Sequence, residues 1–308
     1  MLTPVAHEVD LHLPNWPECL NGYKVALVAD THIGPVVGRS EVEELVSLVA
    51  YQDAQLILLA GDVADGPPEK RARAVEPLLK LNAEDGVYYV TGNHDYLHGS
   101  KGQDWVDFFR EGGVIEPLMN GKVVLPKIPV SNCGGRENQS TFQLLGVPDF
   151  EANPDLETVW NSTKSSDGPT MLLAHRPNQW KSARDLGVDL QLSGHTHGGH
   201  WFPVAGLVYL TNEAMAGRSV WPPTNSQLYT SHGVFGWGPR IRMLTSDNSI
   251  SILRIHRLPD GESVPLPFVH ESYSNWIGYL SLNGMLVILA GYMSSCLAAE
   301  RLFRSLQF

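Results

Sequence analysis

The chain is poor in cysteine. Its 308 residues hold three, Cys19, Cys133 and Cys296, with neither CxxC pairing nor zinc-finger spacing, and an odd count argues against a disulfide framework. It is also short of basic residues: 22 Lys and Arg face 33 Asp and Glu, for a net charge of -11. That balance disfavours broad contact with a phosphate backbone, so no nucleic-acid partner is expected. An acidic protein can still process a phosphate ester if bound metals reverse the local field. The N-terminal stretch MLTPVAHEVDLHLPNW lacks the basic start and continuous apolar core of a signal peptide. Internal repeats and low-complexity segments are absent. The chain is 43% hydrophobic and 18% charged, which excludes a disordered chain and suits one large catalytic domain, or a domain plus a tail.

One long apolar run is present. Residues 276–299 carry no charge over 24 positions, long enough for a membrane-spanning helix, with a buried C-terminal helix as the alternative. The span predicts localisation at a membrane, with a lipid bilayer as partner. Arg301 and Arg304, just beyond it, would place the C-terminus in the cytoplasm. The side on which the rest of the chain lies stays open. A tail anchor without a signal peptide would leave it in the cytosol, whereas the arginines and the acceptor tripeptides at Asn138 and Asn161 point to the other side.

The dominant pattern elsewhere is a short apolar run that passes at once into a polar cluster. Residues 24–29 run into Asp30-Thr31-His32, residues 56–60 into Gly61-Asp62, and residues 87–91 into Gly92-Asn93-His94-Asp95. Residues 171–174 run into His175, and residues 190–193 into Gly194-His195. Runs of this length and composition predict buried strands. Ligands of open α/β sheets bind beyond the carboxyl ends of strands, so one pocket could collect every cluster. Helices are predicted from a capping-box pattern at Ser40–Glu43, followed by a stripe of Val42, Leu45, Val46 and Val49, and over residues 68–81, 105–110 and 179–186. After His200 the sequence turns to short apolar segments, such as 207–211 and 250–255, that read as strands. Strand–helix alternation followed by strands suggests two packed sheets with helices outside.

The polar clusters have the chemistry of metal ligands. Asp30 and His32 are two apart, as are His195 and His197, and in extended chain such pairs point to one side. Asp62 offers two oxygens that could bridge cations, Asn93 a carbonyl oxygen and His175 an imidazole. Mixed histidine and carboxylate donors suit Zn, Fe, Mn or Co, and seven groups exceed the needs of one ion. A two-metal site is the natural reading. His94, beside Asn93, is placed to protonate a leaving oxygen, and Asp65 to orient His94. His200 and Arg176 are candidates for substrate binding. His7, His12, His98, His232, His256 and His270 read as surface or satisfied residues.

The five motifs DTH (30–32), GDVAD (61–65), GNHD (92–95), His175 after an apolar run and GHTHGG (194–199) resemble, in order, those of the calcineurin-like metallophosphoesterase superfamily. The segment GVFGWGPRIR (233–242) is similar to the ending of bacterial membrane-associated phosphoesterases and of transmembrane proteins with a metallophosphoesterase domain. The resemblance implies a four-layer α/β/β/α sandwich of two mixed sheets flanked by helices, with a catalytic domain over 20–260. It would give one metal Asp30, His32, Asp62 and His197, the other Asp62, Asn93, His175 and His195, and would pair Asp65 with His94. It implies phosphomonoester or phosphodiester hydrolysis by a metal-bridging hydroxide. Protein Ser/Thr phosphatases carry Arg-Gly after the second Asp of GDxxD and Glu after GNH, where this chain has Gly66 and Asp95. His200 stands where close bacterial relatives usually have Gln. A catalytically silent metal-binding scaffold and a nuclease are the competing readings.

Overall fold

The computed structural model describes residues 3–127, 140–163, 168–199, 208, 211–222, 224–236 and 248–264. The chain divides into two units, Met1–Leu266 and Pro267–Phe308. The apolar run 276–299 falls in the second unit and outside the described residues, as does His200 in the first. No helix among the described residues is long and apolar enough to cross a membrane.

The strands in chain order are β1 (Val5–Leu13), β2 (Tyr23–Val28), β3 (Leu56–Ala60), β4 (Val87–Val90), β5 (Ile115–Pro117), β6 (Gly121–Leu125), β7 (Phe142–Gly146), β8 (Thr170–Leu173), β9 (Leu190–Ser193), β10 (Gly217–Trp221), β11 (Ser226–Thr230) and β12 (Ser249–Arg257). The α-helices are α1 (Arg39–Tyr51), α2 (Pro68–Val75), α3 (Gln103–Gly112), α4 (Leu156–Asn161) and α5 (Trp180–Leu186). The strands form two six-stranded sheets, ordered β1-β12-β2-β3-β4-β5 and β10-β11-β9-β8-β7-β6. Both are mixed. The first is parallel except where β12 meets β2, the second except at β10–β11 and β6–β7.

Side-chain alternation decides what each strand buries. In β3, with every residue buried, Leu56, Leu58 and Ala60 join Val25, Leu27, Tyr88 and Val90 in a core shared with Leu144, Met171, Leu173 and Leu192 of the second sheet. The intervening Ile57 and Leu59 pack with Val42, Leu45 and Val49 of α1, Val75 of α2 and Phe109 of α3. On the far side, Leu145 and Leu172 meet Leu156 and Val159 of α4 and Ala183 of α5. Helices therefore cover the outer faces and the sheets face each other. Each large aliphatic side chain buried this way contributes roughly 1.5–3 kcal/mol. Such two-sided burial explains why the strands read as continuous apolar runs.

Local deviations from the predicted elements have identifiable causes. The helix expected over 68–81 stops at Val75 and continues as a 3-10 turn, Glu76–Lys80, because Pro77 has no N–H for the Arg73 carbonyl. That carbonyl instead accepts from Arg39 Nη1 at 2.8 Å. Helix α1 starts earlier than the Ser40 pattern implies. Its N-cap is Gly38, whose N–H donates to Glu41 Oε2 at 3.1 Å. Helices α3 and α5 end at Gly113 and Gly187, both left-handed as a C-cap requires. The strand expected over 207–211 is not formed at its described residues: Val208 and Thr211 are helical, and Asn212 N–H donates to the Val208 carbonyl. Cys19 is disulfide-bonded, so the small cysteine count does not exclude a crosslink.

Candidate metal centre

The polar clusters all follow the carboxyl ends of parallel strands. Asp30 and His32 follow β2, Asp62 and Asp65 follow β3, and Asn93, His94 and Asp95 follow β4. From the second sheet come His175 after β8, and His195 and His197 after β9. The loops after β2 and β3 run side by side. Asp30 and His32 donate their amides to the Gly61 and Asp62 carbonyls, and Ile33 bridges Ala64 in parallel register. The two sheets are tied together at the site by Asp30, which accepts the His195 amide on both oxygens at 3.0 and 3.1 Å.

The paired candidate ligands do not use strand alternation. Asp30, His32, Asp62, His195 and His197 all have positive φ, between 40° and 72°. These residues lie beyond the strand ends, and successive left-handed turns, not extended chain, bring Asp30 with His32 and His195 with His197 to a common point. A non-glycine residue in this region costs on the order of 1 kcal/mol or more, and such strain is found at functional sites. Two glycines make the close approach feasible. A Cβ on Gly92 would lie 2.2 Å from Asp62 Oδ1, and one on Gly61 2.7 Å from His175 Nδ1.

Seven predicted ligands come together in two groups that share Asp62. On one side His32 Nε2 lies 3.1 Å from His197 Nε2 and 3.7 Å from Asp62 Oδ2, and His197 Nε2 lies 3.8 Å from Asp30 Oδ1. On the other, His175 Nε2 lies 3.4 Å from the same Asp62 Oδ2, 3.2 Å from Asn93 Oδ1 and 3.2 Å from His195 Nδ1. The outer nitrogens set the tautomers. His175 Nδ1 donates to the Ala60 carbonyl at 2.7 Å and His32 Nδ1 to Asp65 Oδ1 at 3.1 Å, so in each ring Nε2 is the nitrogen left facing the cluster. Ring nitrogens and the oxygens of Asp30, Asp62 and Asn93 thus converge across gaps of a few ångströms. Cations at these points satisfy every one of them, so the residues fit a metal pair.

The electrostatics agree. Burial opposes charge on His175, but the Asp62 carboxylate and its hydrogen bond outweigh it and push the ring up to about 10. Burial, His175 and Arg176 push neighbouring His195 down to about 3. Asp62, despite burial, is held well below the usual carboxylate range by His175 and His32. A buried, net-negative cluster that draws a proton onto one of its rings is a cluster that stabilises positive charge.

Asp65 serves two histidines with one oxygen: Oδ1 accepts from His94 Nδ1 at 2.8 Å as well as from His32. Burial opposes its charge, yet these bonds hold it well below the usual range. The His94 amide donates to Asp62 Oδ1 at 2.7 Å, leaving Oδ2 for the shared position. Arg176 forms a bidentate pair with buried Asp149, Nε to Oδ2 at 2.7 Å and Nη2 to Oδ1 at 2.9 Å. His98 is exposed, with its ring 6.3 Å from that of His94.

Two contributors were not assigned to the site from sequence. Asp95, completely buried, accepts from the amides of Gly92, Asp62, Val63 and Ala64 and from the Tyr89 hydroxyl, binding the loops after β3 and β4 into one piece. Its place in GNHD marked it only as a departure from another class. Nothing local announces that it reaches the β3 loop. Val234 and Phe235 donate their amides to the Ala29 and Asp30 carbonyls, and a Cβ on Gly233 would lie 2.9 Å from Asp30 Cβ. The GVFGWGPRIR resemblance was the available signal for this prop.

The family model for calcineurin-like phosphoesterases matches residues 23–199, the stretch that carries every ligand loop. The chain belongs to the calcineurin-like phosphoesterase family. It is 33% identical over 226 residues to a transmembrane protein with metallophosphoesterase domain from Danio rerio, covering 70% of this chain and 49% of that protein. The Bos taurus protein of the same name is 34% identical over 251 residues, covering 78% and 54%. An uncharacterized metallophosphoesterase of Helicobacter pylori is 32% identical over 243 residues, covering 75% and 59%. The chain therefore spans about half the length of the curated relatives it matches. A solved dimetal phosphatase from Danio rerio superposes with a TM-score of 0.45 at 11% identity, over 69% of this chain and 88% of that one.

Proposed function

We propose that the chain hydrolyses phosphate esters at a dinuclear centre, with Asp30, His32, Asp62 and His197 holding one cation and Asp62, Asn93, His175 and His195 the other. The observation that carries this reading is the position of Asp62 Oδ2, within 3.7 Å of His32 Nε2 and 3.4 Å of His175 Nε2, the vertex shared by both groups. When bound, a pair of divalent cations supplies Lewis acidity toward phosphoryl oxygens and activates water as the nucleophile.

The chain's own residues do the rest. Asp65 holds the His94 Nδ1–H and so directs proton transfer to Nε2, which delivers its proton to the departing ester oxygen. The same carboxylate orients His32, coupling ligand geometry to the acid. Asp95 keeps the Asp62 and Asn93 loops at fixed separation. The donor set suits Zn, Fe, Mn or Co. Turnover of bis(4-nitrophenyl) phosphate that requires added Mn²⁺ or another of these ions supports the assignment. A fully metallated preparation that turns over neither this diester nor 4-nitrophenyl phosphate refutes it, and leaves a metal-binding scaffold.

Membrane attachment is a separate proposal, supported by the uncharged run 276–299 and by the names of the Danio rerio and Bos taurus relatives. Deletion of 276–308 should abolish partition into detergent. Unchanged partition would refute it.

A further inference from the structure

Arg176 follows His175 directly and belongs to the Asn93–His175–His195 side of the site, whereas His94 and Asp65 lie with His32. Its guanidinium is fixed from two directions. One edge is clamped on both oxygens of Asp149, and one face lies over the Phe150 ring at 5.7 Å. The clamp is anchored in turn: the Asp149 amide donates to Thr91 Oγ1 at 3.2 Å, and Thr91 Oγ1 lies 3.0 Å from the Tyr96 hydroxyl. Thr91 stands two residues before Asn93, so the clamp is anchored on the strand end that leads into the Asn93 loop. The Arg176 carbonyl accepts from Gln191 Nε2 at 3.1 Å, which fixes the backbone as well.

A guanidinium has five N–H donors, and Asp149 takes two. The remaining three meet no acceptor among the described residues. The Asp149 side chain is completely buried while 26% of that of Arg176 is exposed, so the pair is closed on the carboxylate side and open to solvent on the arginine side. A surface ion pair would leave both partners wet and mobile. Here the pair is half buried, bidentate and pinned beside a metal ligand. A cation preorganised in this way loses little entropy when it binds a second anion.

We propose that Arg176, oriented by Asp149, is a specificity-determining residue that takes a second anionic group of the substrate, so that the site selects phosphate esters carrying a further phosphate or carboxylate close to the scissile phosphorus. The proposal rests on the phosphoesterase reading and adds the substrate class. The scissile phosphoryl group belongs between the Asp62-linked ligand groups, and the second anion belongs on the open edge of Arg176.

The test compares methylphosphonate, which has one anionic group, with phosphonoacetate, which adds a carboxylate. Their inhibition constants are measured on bis(4-nitrophenyl) phosphate hydrolysis by the metal-loaded full chain, and their dissociation constants by calorimetry. The wild-type protein should bind phosphonoacetate at least tenfold more tightly. Arg176→Gln should shrink that preference to threefold or less, and Arg176→Lys, which keeps a charge beside Asp149, should fall between. Equal binding of the two anions by the wild type overturns the proposal, as does Arg176→Gln weakening both by the same factor, the signature of a structural role. Absence of turnover would count against the phosphoesterase reading alone, because calorimetry still reads the anion preference.

Discussion

Replacing Gly92 by alanine would drive a methyl group into the carboxylate shared by the two ligand groups. An added Cβ falls 2.2 Å from Asp62 Oδ1, 2.4 Å from the Asp62 amide nitrogen and 2.8 Å from His175 Cε1, where ordinary contact begins at 3.4 Å. Asp62 must therefore retreat by about 1 Å, and a displacement of that size at a reacting centre costs on the order of 100-fold in rate. Gly92 does not have positive φ, so the substitution acts through space and not through backbone strain. The overpacking should also destabilise the fold by about 1–3 kcal/mol. Gly121→Ala is the control, since its Cβ would meet nothing nearer than Leu118 Cδ2 at 3.7 Å. The assay is kcat on bis(4-nitrophenyl) phosphate together with metal content per chain. Gly92→Ala should lose about 100-fold in kcat and bind fewer than two ions. A variant that keeps two ions and a kcat within threefold of wild type would show that Asp62 tolerates the displacement and that its position is not critical.

Other predictions concern the acid and a remote carboxylate. His94→Ala should lower kcat by about 10²–10⁴ on esters with poor leaving groups, and much less on 4-nitrophenyl esters, while metal content stays unchanged. Equal losses on both ester types would remove its role as acid. Asp189, just before β9, accepts the Thr170 amide at 2.8 Å, and burial pushes its carboxyl up to about 6. The native state therefore holds this proton over a pH range in which the unfolded chain has released it. The stability it contributes is complete below the unfolded value of 3.8 and is lost as pH rises through about 6. Two pK units correspond to about 3 kcal/mol, which partial exposure reduces to about 1–2 kcal/mol. Asp189→Asn should accordingly raise the Tm at pH 8 and leave it unchanged at pH 4. A lower Tm at pH 8 would contradict that sign.

The strands that lead to ligands were readable in the sequence because both of their faces are buried. LILLA and VYYV leave no position for a polar residue until the chain emerges at the site. Strand β1 was not readable. It is an edge strand whose VAHEVDLHL mixes exposed and buried positions, and its partner β12 lies more than 200 residues away. The candidate ligands were readable as residue types, but extended-chain alternation is not what pairs them. Alternation along extended chain cannot apply to Asp30, His32, His195 and His197, which turn with positive φ beyond the strand ends. Local pattern carries no trace of Asp95 spanning to the β3 loop or of Gly233 propping Asp30, since both contacts depend on which strands are neighbours. Arg176 was visible as a cation near a ligand. Its clamp on Asp149, which sets it apart from a solvated surface charge, appears only once the ends of β7 and β8 lie side by side.

In the proposed dinuclear centre one carboxylate, Asp62, joins two cation sites. Elemental analysis of metal per chain, on wild type, Asp62→Asn and His195→Ala after equilibration with Mn²⁺ or Zn²⁺ and removal of excess, tests it most directly. Two ions are expected in the wild type, one in His195→Ala and loss from both sites in Asp62→Asn. A single ion per wild-type chain, or an Asp62→Asn protein that keeps both ions, would contradict it.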